Sequence, residues 1–345
     1  MPPVPPGALR LDLNENPFPW PEDLWREVEG ALRAAEPSRY PRETERLQAA
    51  LAAQAGVPPD WCLPANGSDE LLLAAAAAWG RGAVRAVFPV PTFGMYRRLA
   101  EAAGLPAAAV PLGRAPGFDL PVEALRRELG RGGDSLLFLC RPNNPTGTLW
   151  PAEDVRAVVE TEGTWTVLDE AYVEFAGEGL QDWLHEHPRL CILRTMSKAF
   201  AFAGLRVGYA LGRPEALAPL RQAVQPWAVT AWSTAAALAA LRRGAEVEET
   251  VGRLVAERER LAEGLGALPG IRPHPSRANF ILFAVDGCDA FAVWERLYRA
   301  GAVVRRFPGE PALRGCLRVS VGRPEENDAF LSRLEAALHA ERGAS

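Results

Sequence analysis

Lys198 is the sole lysine among 345 residues; the other 37 basic side chains are arginines. Arginine replaces lysine wherever a solvated positive charge is enough. Its guanidinium does not lose its proton, so it cannot serve as a neutral amine nucleophile. A coding bias toward arginine explains the other positions. It leaves open why the surviving lysine stands in Leu193-Arg194-Thr195-Met196-Ser197-Lys198-Ala199-Phe200, directly after an apolar run. An amine in that setting is suited to making an imine with an aldehyde cofactor or substrate.

Three other groups of residues could take part in such chemistry, and each has a plainer reading. Arg141-Pro142-Asn143-Asn144-Pro145-Thr146-Gly147 follows an apolar run and is dense in turn formers, which alone favours an ordinary turn. Asp169-Glu170-Ala171-Tyr172 ends another run, where an acid is as readily a helix cap as a functional group. Asn66-Gly67-Ser68-Asp69-Glu70 opens the helical stretch 71–79; a Gly-Ser turn at a helix start suits a phosphate, although a simple N-cap is the commoner use. Gly204-Leu205-Arg206 follows the lysine and adds a planar cation.

The elements that must hold these groups alternate between strand and helix patterns. Stretches 83–88, 135–140, 164–168 and 190–193 read as buried strands, with 206–211 as another, and 121–129 and 152–161 have helical periodicity. That alternation predicts an α/β domain on a mostly parallel sheet, in which ligands gather beyond the carboxyl ends of the strands. A long Arg/Glu-rich helix over 246–265 could bridge to a second domain. Beyond it, strands at 279–285, 302–307 and 316–321, a helix at 290–299 and a last helix from Pro324 describe a small α+β unit. Phe330, Leu331, Leu334 and Leu338 share one face of that last helix. The division is an N-terminal arm over 1–36 with few strand signals, packing with the small domain. A large domain over 37–245 follows, then an interdomain helix and small domain over 246–345.

A net charge of −5 gives no field that would draw nucleic acid or anionic lipid. The proline-rich start, 1–7, lacks the profile of an export signal, and the longest apolar run, 71–79, is too short to span a bilayer. Cys62, Cys140, Cys191, Cys288 and Cys316 are odd in number and widely spaced, with no C-x-x-C pair, which fits a reducing cytoplasm. His185-Glu186-His187 could hint at a metal pair, but i,i+2 residues do not share a helix face and no third ligand is evident. Surface polar residues are the better reading, and no metal site is expected.

Taken together, in this order and spacing, the motifs resemble the fold type I pyridoxal-phosphate enzymes, the class I/II aminotransferases, over essentially the whole chain. The resemblance is greatest to the histidinol-phosphate aminotransferase family. It is carried by Leu13-Asn14-Glu15-Asn16-Pro17, Arg39-Tyr40-Pro41, Asn66-Gly67-Ser68-Asp69-Glu70, Pro91-Thr92-Phe93-Gly94-Met95-Tyr96, Asp169-Glu170-Ala171-Tyr172 and Ser197-Lys198-Ala199-Phe200. It implies a large domain with a mostly parallel seven-stranded sheet, a small α+β C-terminal domain and an N-terminal arm. It also implies transfer of an amino group between histidinol phosphate and 2-oxoglutarate, giving imidazole-acetol phosphate and glutamate.

By the same resemblance, Lys198 would hold pyridoxal 5′-phosphate as an imine and then move the substrate proton. Asp169 would pair with the pyridinium nitrogen. Tyr172 and Asn144 would bond the ring 3-oxygen, and Phe93, where many relatives carry Tyr, would stack on the ring. The phosphate would be held by Ser197, Arg206, Thr195 and the amides of the Gly67-Ser68-Asp69 turn. Tyr40 would reach the phosphate in a neighbouring subunit, so that a homodimer with shared sites follows. Arg318 would bind the substrate carboxylate and Arg305, in preference to Arg306, the substrate phosphate. Asn144 would also meet the substrate. Phe18 falls in the arm where relatives have tyrosine and would border it.

Three rivals share some of these features. A sister enzyme of the same fold could act on aromatic amino acids or decarboxylate threonine phosphate. A cofactor-binding regulator fused to a DNA-binding module would need chain ahead of the arm motif, which starts near Leu11. A nicotinamide-dependent dehydrogenase would need a G-x-G-x-x-G turn, and none opens a βαβ unit here.

Overall fold

The computed structural model describes residues 7–35, 38–113, 115 and 117–343; residues 1–6 of the proline-rich start lie outside it. Among the described residues, twelve strands form two sheets. In chain order they are β1 Leu9–Leu11, β2 Cys62–Ala65, β3 Ala83–Val90, β4 Ala107–Pro111, β5 Asp134–Cys140, β6 Thr164–Asp169, β7 Leu190–Thr195, β8 Gly208–Gly212, β9 Ile271–Pro273, β10 Phe280–Val285, β11 Ala302–Arg306 and β12 Cys316–Ser320.

The large sheet has seven strands in the order β2-β8-β7-β6-β5-β3-β4. Its pairings are parallel except where β8 meets β2 and β7. Parallel strands covered by helices on both faces must be apolar all along, and β7 is buried at every position, β5 at all but its first. One reversed strand has a consequence for the site. Six strands end at the same edge of the sheet, and β8 begins there, so the residues just before β8 join the residues just after the others.

The small sheet runs β1-β11-β12-β10-β9. The arm, read as poor in strand signals, supplies β1, which pairs in parallel with β11 through Leu9 opposite Ala302. Three residues with one buried side chain give too short a pattern to read as a strand. The arm continues into the helix Glu22–Ala34, which packs on the helix Ala231–Leu241 of the large sheet's layer. The arm therefore touches both units, not the small one alone. The bridging helix runs Gly244–Ala267, close to the range expected.

The strand expected over 206–211 starts two residues later. Arg206 follows a 3-10 turn and takes a left-handed backbone (φ 53°), which aims its side chain at the sheet edge instead of into the ladder. All five cysteines are free thiols; four are buried and Cys288 is partly so. Among the described residues, no helix is long and apolar enough to cross a membrane.

Candidate active site

Residues from five strand ends converge at the common edge. Asp169 and Glu170 are adjacent there and do different work. Glu170 turns into the protein, where Arg194 donates to it through Nε (3.0 Å) and Nη2 (2.7 Å), so it serves as a structural ion pair. Asp169 faces the opposite way. Its carboxylate accepts the Tyr96 hydroxyl (2.7 Å) and the Ala171 amide (3.1 Å). Burial pushes its pKa up to about 6, against the lowering effect of those two hydrogen bonds. A buried carboxylate with two neutral donors and, among the described residues, no cation paired with it is prepared for a positively charged partner such as a pyridinium N–H. Tyr96 is itself fully buried, stacked on Phe138 (5.3 Å) and edge-on to Phe93 (5.6 Å). Its role was missed in the sequence. Its spacing of three from Phe93 places both rings at the same turn, but the partner lies 73 residues away.

Lys198 is three residues beyond β7. Its Nζ donates to the Leu13 carbonyl of the arm (3.1 Å) and lies 6.0 Å from the centre of the Tyr172 ring. Although the side chain keeps some solvent contact, the dense surroundings lower its pKa to about 8. Desolvation is the main cause and the Arg318 charge the next. A neutral amine is therefore accessible near neutrality, as nucleophilic attack requires.

Beside the lysine is a cup of donors. Ser197 N–H donates to Thr195 Oγ1 (3.1 Å), the two hydroxyl oxygens lie 3.0 Å apart, and Arg206 Nη1 donates to Ser197 Oγ (3.4 Å). Opposite, Gly67 at the N-cap of the helix Ser68–Trp79 brings no side chain to cover the first amides. It has φ 81°, and a Cβ there would run into the Arg206 guanidinium. Gly208 lies as close from the other side: a Cβ on it would be 2.5 Å from Gly67 C and Ser68 N. Helix amides, two hydroxyls and an arginine suit a phosphate dianion. Asp69 sits 3.6 Å from Arg206 Nη2, as a rim acid that holds the guanidinium in place.

The small sheet supplies the remaining wall. Arg318 on β12 is buried, stacked over Phe280, and donates to Asn144 Oδ1 and the Asp12 carbonyl (2.8 Å). Its Nε has no partner, and among the described residues no carboxylate comes within 4 Å. Desolvation works against its charge, the Tyr172 hydroxyl favours it and Arg305 opposes it; the guanidinium keeps its proton all the same. An unpaired buried cation calls for an anion from outside.

Arg305 stands opposite Arg318 in the β11–β12 register and so shares its face. Arg306 points the other way, its guanidinium over Trp294 (4.6 Å) and Phe291 (4.9 Å). A cleft of about 310 Å³ runs between arm and lysine loop, lined by Arg10, Glu15, Asn16, Ser197, Gly204 and Ser320.

The sequence-derived residues are thus largely brought together: Lys198, Asp169, Tyr172, Asn144, Thr195, Ser197, Arg206, Gly67, Ser68, Asp69 and Arg318 form one constellation. Phe93 joins it through Tyr96, and Arg305 lies across the strand from Arg318. Phe18 packs under the Arg253 guanidinium (4.0 Å), next to Ala199 and Phe200. Tyr40 stands apart, 71% exposed and stacked on Trp227 (4.3 Å). His187 lies beside Trp183, and among the described residues no three potential metal ligands cluster. The donor set and the cradle that a Cβ would fill fit pyridoxal phosphate: an amine for its aldehyde, a carboxylate for its nitrogen and a cup for its phosphate.

The sequence model for aminotransferases of class I and II matches residues 7–334. The chain is 38% identical to a histidinol-phosphate aminotransferase from Desulfitobacterium hafniense, over 96% of this chain and 92% of that one. It is 41% identical to one from Roseiflexus castenholzii, over 95% and 89%. Its structure is similar to that of histidinol-phosphate aminotransferase from Sinorhizobium meliloti, solved with pyridoxal-5′-phosphate. The TM-score there is 0.85 at 28% identity, covering 96% of this chain and 91% of the other. The chain belongs to the class I and II aminotransferases.

Proposed function

We propose that this aminotransferase interconverts histidinol phosphate and 2-oxoglutarate with imidazole-acetol phosphate and glutamate. The observation that carries the reading is Arg318, a buried guanidinium with no acid paired to it among the described residues and with a second arginine opposite it on the same face. Both substrates are anions, and a planar fork binds a carboxylate through two parallel N–H bonds. The names of the relatives, 34–41% identical among those compared, support the phosphorylated substrate.

Pyridoxal phosphate, when bound, supplies an aldehyde and an electron-accepting ring. Lys198 Nζ is the amine that would hold that aldehyde, and once free it is the group that would carry the proton taken from the substrate Cα. Asp169 keeps the ring nitrogen protonated by a charge-assisted hydrogen bond. Asn144 and Tyr172 bond the ring 3-oxygen, and Phe93 covers a ring face. Ser197, Thr195, Arg206 and the Ser68 and Asp69 amides anchor the phosphate. Arg318 holds the substrate carboxylate, Arg305 the substrate phosphate, and Phe18 with Arg253 closes the arm side of the cleft.

A homodimer completes the reading. Tyr40 and Trp227, stacked on each other, are both more than half exposed, and exposed paired aromatic rings support an association site. In such a dimer Tyr40, which stands apart from the phosphate cup of its own chain, would reach the cup of a neighbour. A substrate panel tests the assignment: histidinol phosphate, phenylalanine and tyrosine, each with 2-oxoglutarate, and threonine phosphate for decarboxylation. Turnover of an aromatic amino acid or threonine phosphate above that of histidinol phosphate would refute it. Sedimentation at micromolar concentration tests the dimer, and a monomer with full activity would exclude shared sites.

A further inference from the structure

Asn14 is buried with a left-handed backbone (φ 54°), and the chemistry above gives it no task. Its atoms are all engaged. The backbone N–H donates to Ser320 Oγ (2.8 Å), the Ser320 hydroxyl donates to Asn14 Oδ1 (3.2 Å), and Asn279 Nδ2 donates to the Asn14 carbonyl (3.0 Å). The remaining group, Asn14 Nδ2, donates to the Tyr172 hydroxyl (3.0 Å), and Asn144 Nδ2 donates to the same oxygen (3.2 Å).

The orientation of the Asn144 amide is forced by a group of fixed polarity, and that of Asn14 by the pairing of its neighbours. Arg318 can only donate, so Asn144 turns its oxygen to the guanidinium and its NH2 to Tyr172. Ser320 Oγ accepts the Asn14 backbone N–H and turns its own hydrogen to Asn14 Oδ1, an arrangement in which every group is paired and the Asn14 NH2 faces the phenol. Two N–H donors fill the lone pairs of the Tyr172 oxygen. Its own hydrogen must point elsewhere, and burial, which raises the phenol pKa, keeps that hydrogen in place.

We infer that Asn14 is a positioning residue that, with Asn144, compels Tyr172 to donate its hydrogen bond to the ring 3-oxygen, and that the arm delivers this polarity from the small sheet. The inference rests on the reading of Tyr172 as a partner of that oxygen.

The test titrates cofactor-free protein with pyridoxal phosphate and with 3-deoxypyridoxal phosphate, which lacks the oxygen, following tryptophan fluorescence. The unsubstituted protein prefers the former by about tenfold, the worth of one well-placed hydrogen bond. Asn14→Gly removes one donor while tolerating the left-handed backbone, and the preference falls severalfold. Asn14→Asp has nearly the same shape but offers the phenol an acceptor, and the preference disappears. A larger effect of Asp than of Gly marks polarity; a packing role gives the reverse order, because Asp preserves the volume.

Retention of the preference by both variants, or equal loss of affinity for both ligands, would overturn the inference. If Asn14→Asp does not fold, the ratio measured for Asn14→Gly decides in the same way. Equal affinities in the unsubstituted protein would instead remove the Tyr172 reading, and this inference with it.

Discussion

Replacing Asp169 with Asn should stabilise the cofactor-free protein while nearly abolishing its activity. Asp169 is buried with no cation paired to it among the described residues, and its pKa is raised from 3.8 to about 6. At pH 7 an ionised carboxylate in that position destabilises the fold by about 3 kcal/mol, from roughly two pKa units at about 1.4 kcal/mol each. Asn keeps an acceptor for the Ala171 amide and can donate to the Tyr96 oxygen, but it rearranges one hydrogen bond, which costs about 1 kcal/mol. The net gain is about 2 kcal/mol, or a melting temperature about 3 °C higher for a chain of this length.

The pH dependence gives a second check on the same substitution. The native state retains its proton between about pH 4 and 6 while the unfolded state loses it. Stability of the unsubstituted protein therefore falls as pH rises through that window, and the variant lacks this decline. Thermal melts of the two apoproteins at pH 4.5 and pH 7 measure the difference, alongside turnover with cofactor. A variant less stable at pH 7, or one with normal turnover, would refute the account of Asp169 as an acid held in readiness for a cation.

Lys198→Arg should fail as a catalyst, with turnover lower by at least about 10²–10⁴-fold, and borohydride treatment of the loaded protein should no longer label position 198. Because the native Lys198 pKa of about 8 lies below the unfolded value, the unfolded state holds more protons above pH 8. Apoprotein stability should thus rise with pH from about 8 to 10, a rise absent in Lys198→Met; identical melting profiles would contradict it. Arg318→Lys keeps the charge but loses the fork, so the KM for 2-oxoglutarate should rise about 10- to 100-fold with a smaller change in kcat; an unchanged KM would move carboxylate binding elsewhere. Gly208→Ala would press a methyl onto the Gly67–Ser68 backbone, and pyridoxal phosphate should dissociate about tenfold faster, for a strain of 1–3 kcal/mol; unaltered retention would show that the turn yields freely.

Much of this site was legible in the sequence because its parts follow long apolar strands. β5, β6 and β7 are read from their buried runs, and the residues just after them are the chemistry-bearing ones. Other strands left little trace. Cys62–Ala65 and Ala107–Pro111 are short and made mainly of alanine and proline, residues without strand preference, and the sheet recruits them through its neighbours. The helix Ala231–Leu241 is buried on nearly every side, so it has no face for periodicity to reveal. Tyr96 and Asn14 were visible as motif residues but not as partners of Asp169 and Tyr172. Contacts across 73 and 158 positions arise from the fold, and no local pattern encodes them.

The arm strand also imposes an order on assembly. β1 lies at the start of the chain and its sheet partner β11 near the end, Leu9 against Ala302. During synthesis the seven central strands, all complete by Gly212, are available to one another long before that pairing can form. The Leu13 carbonyl that holds the Lys198 amine and the backbone that seats Arg318 arrive with it. A ribosome-bound intermediate would therefore own the phosphate cup and the nucleophile without the wall that selects the substrate, and selectivity is the last property this polypeptide acquires.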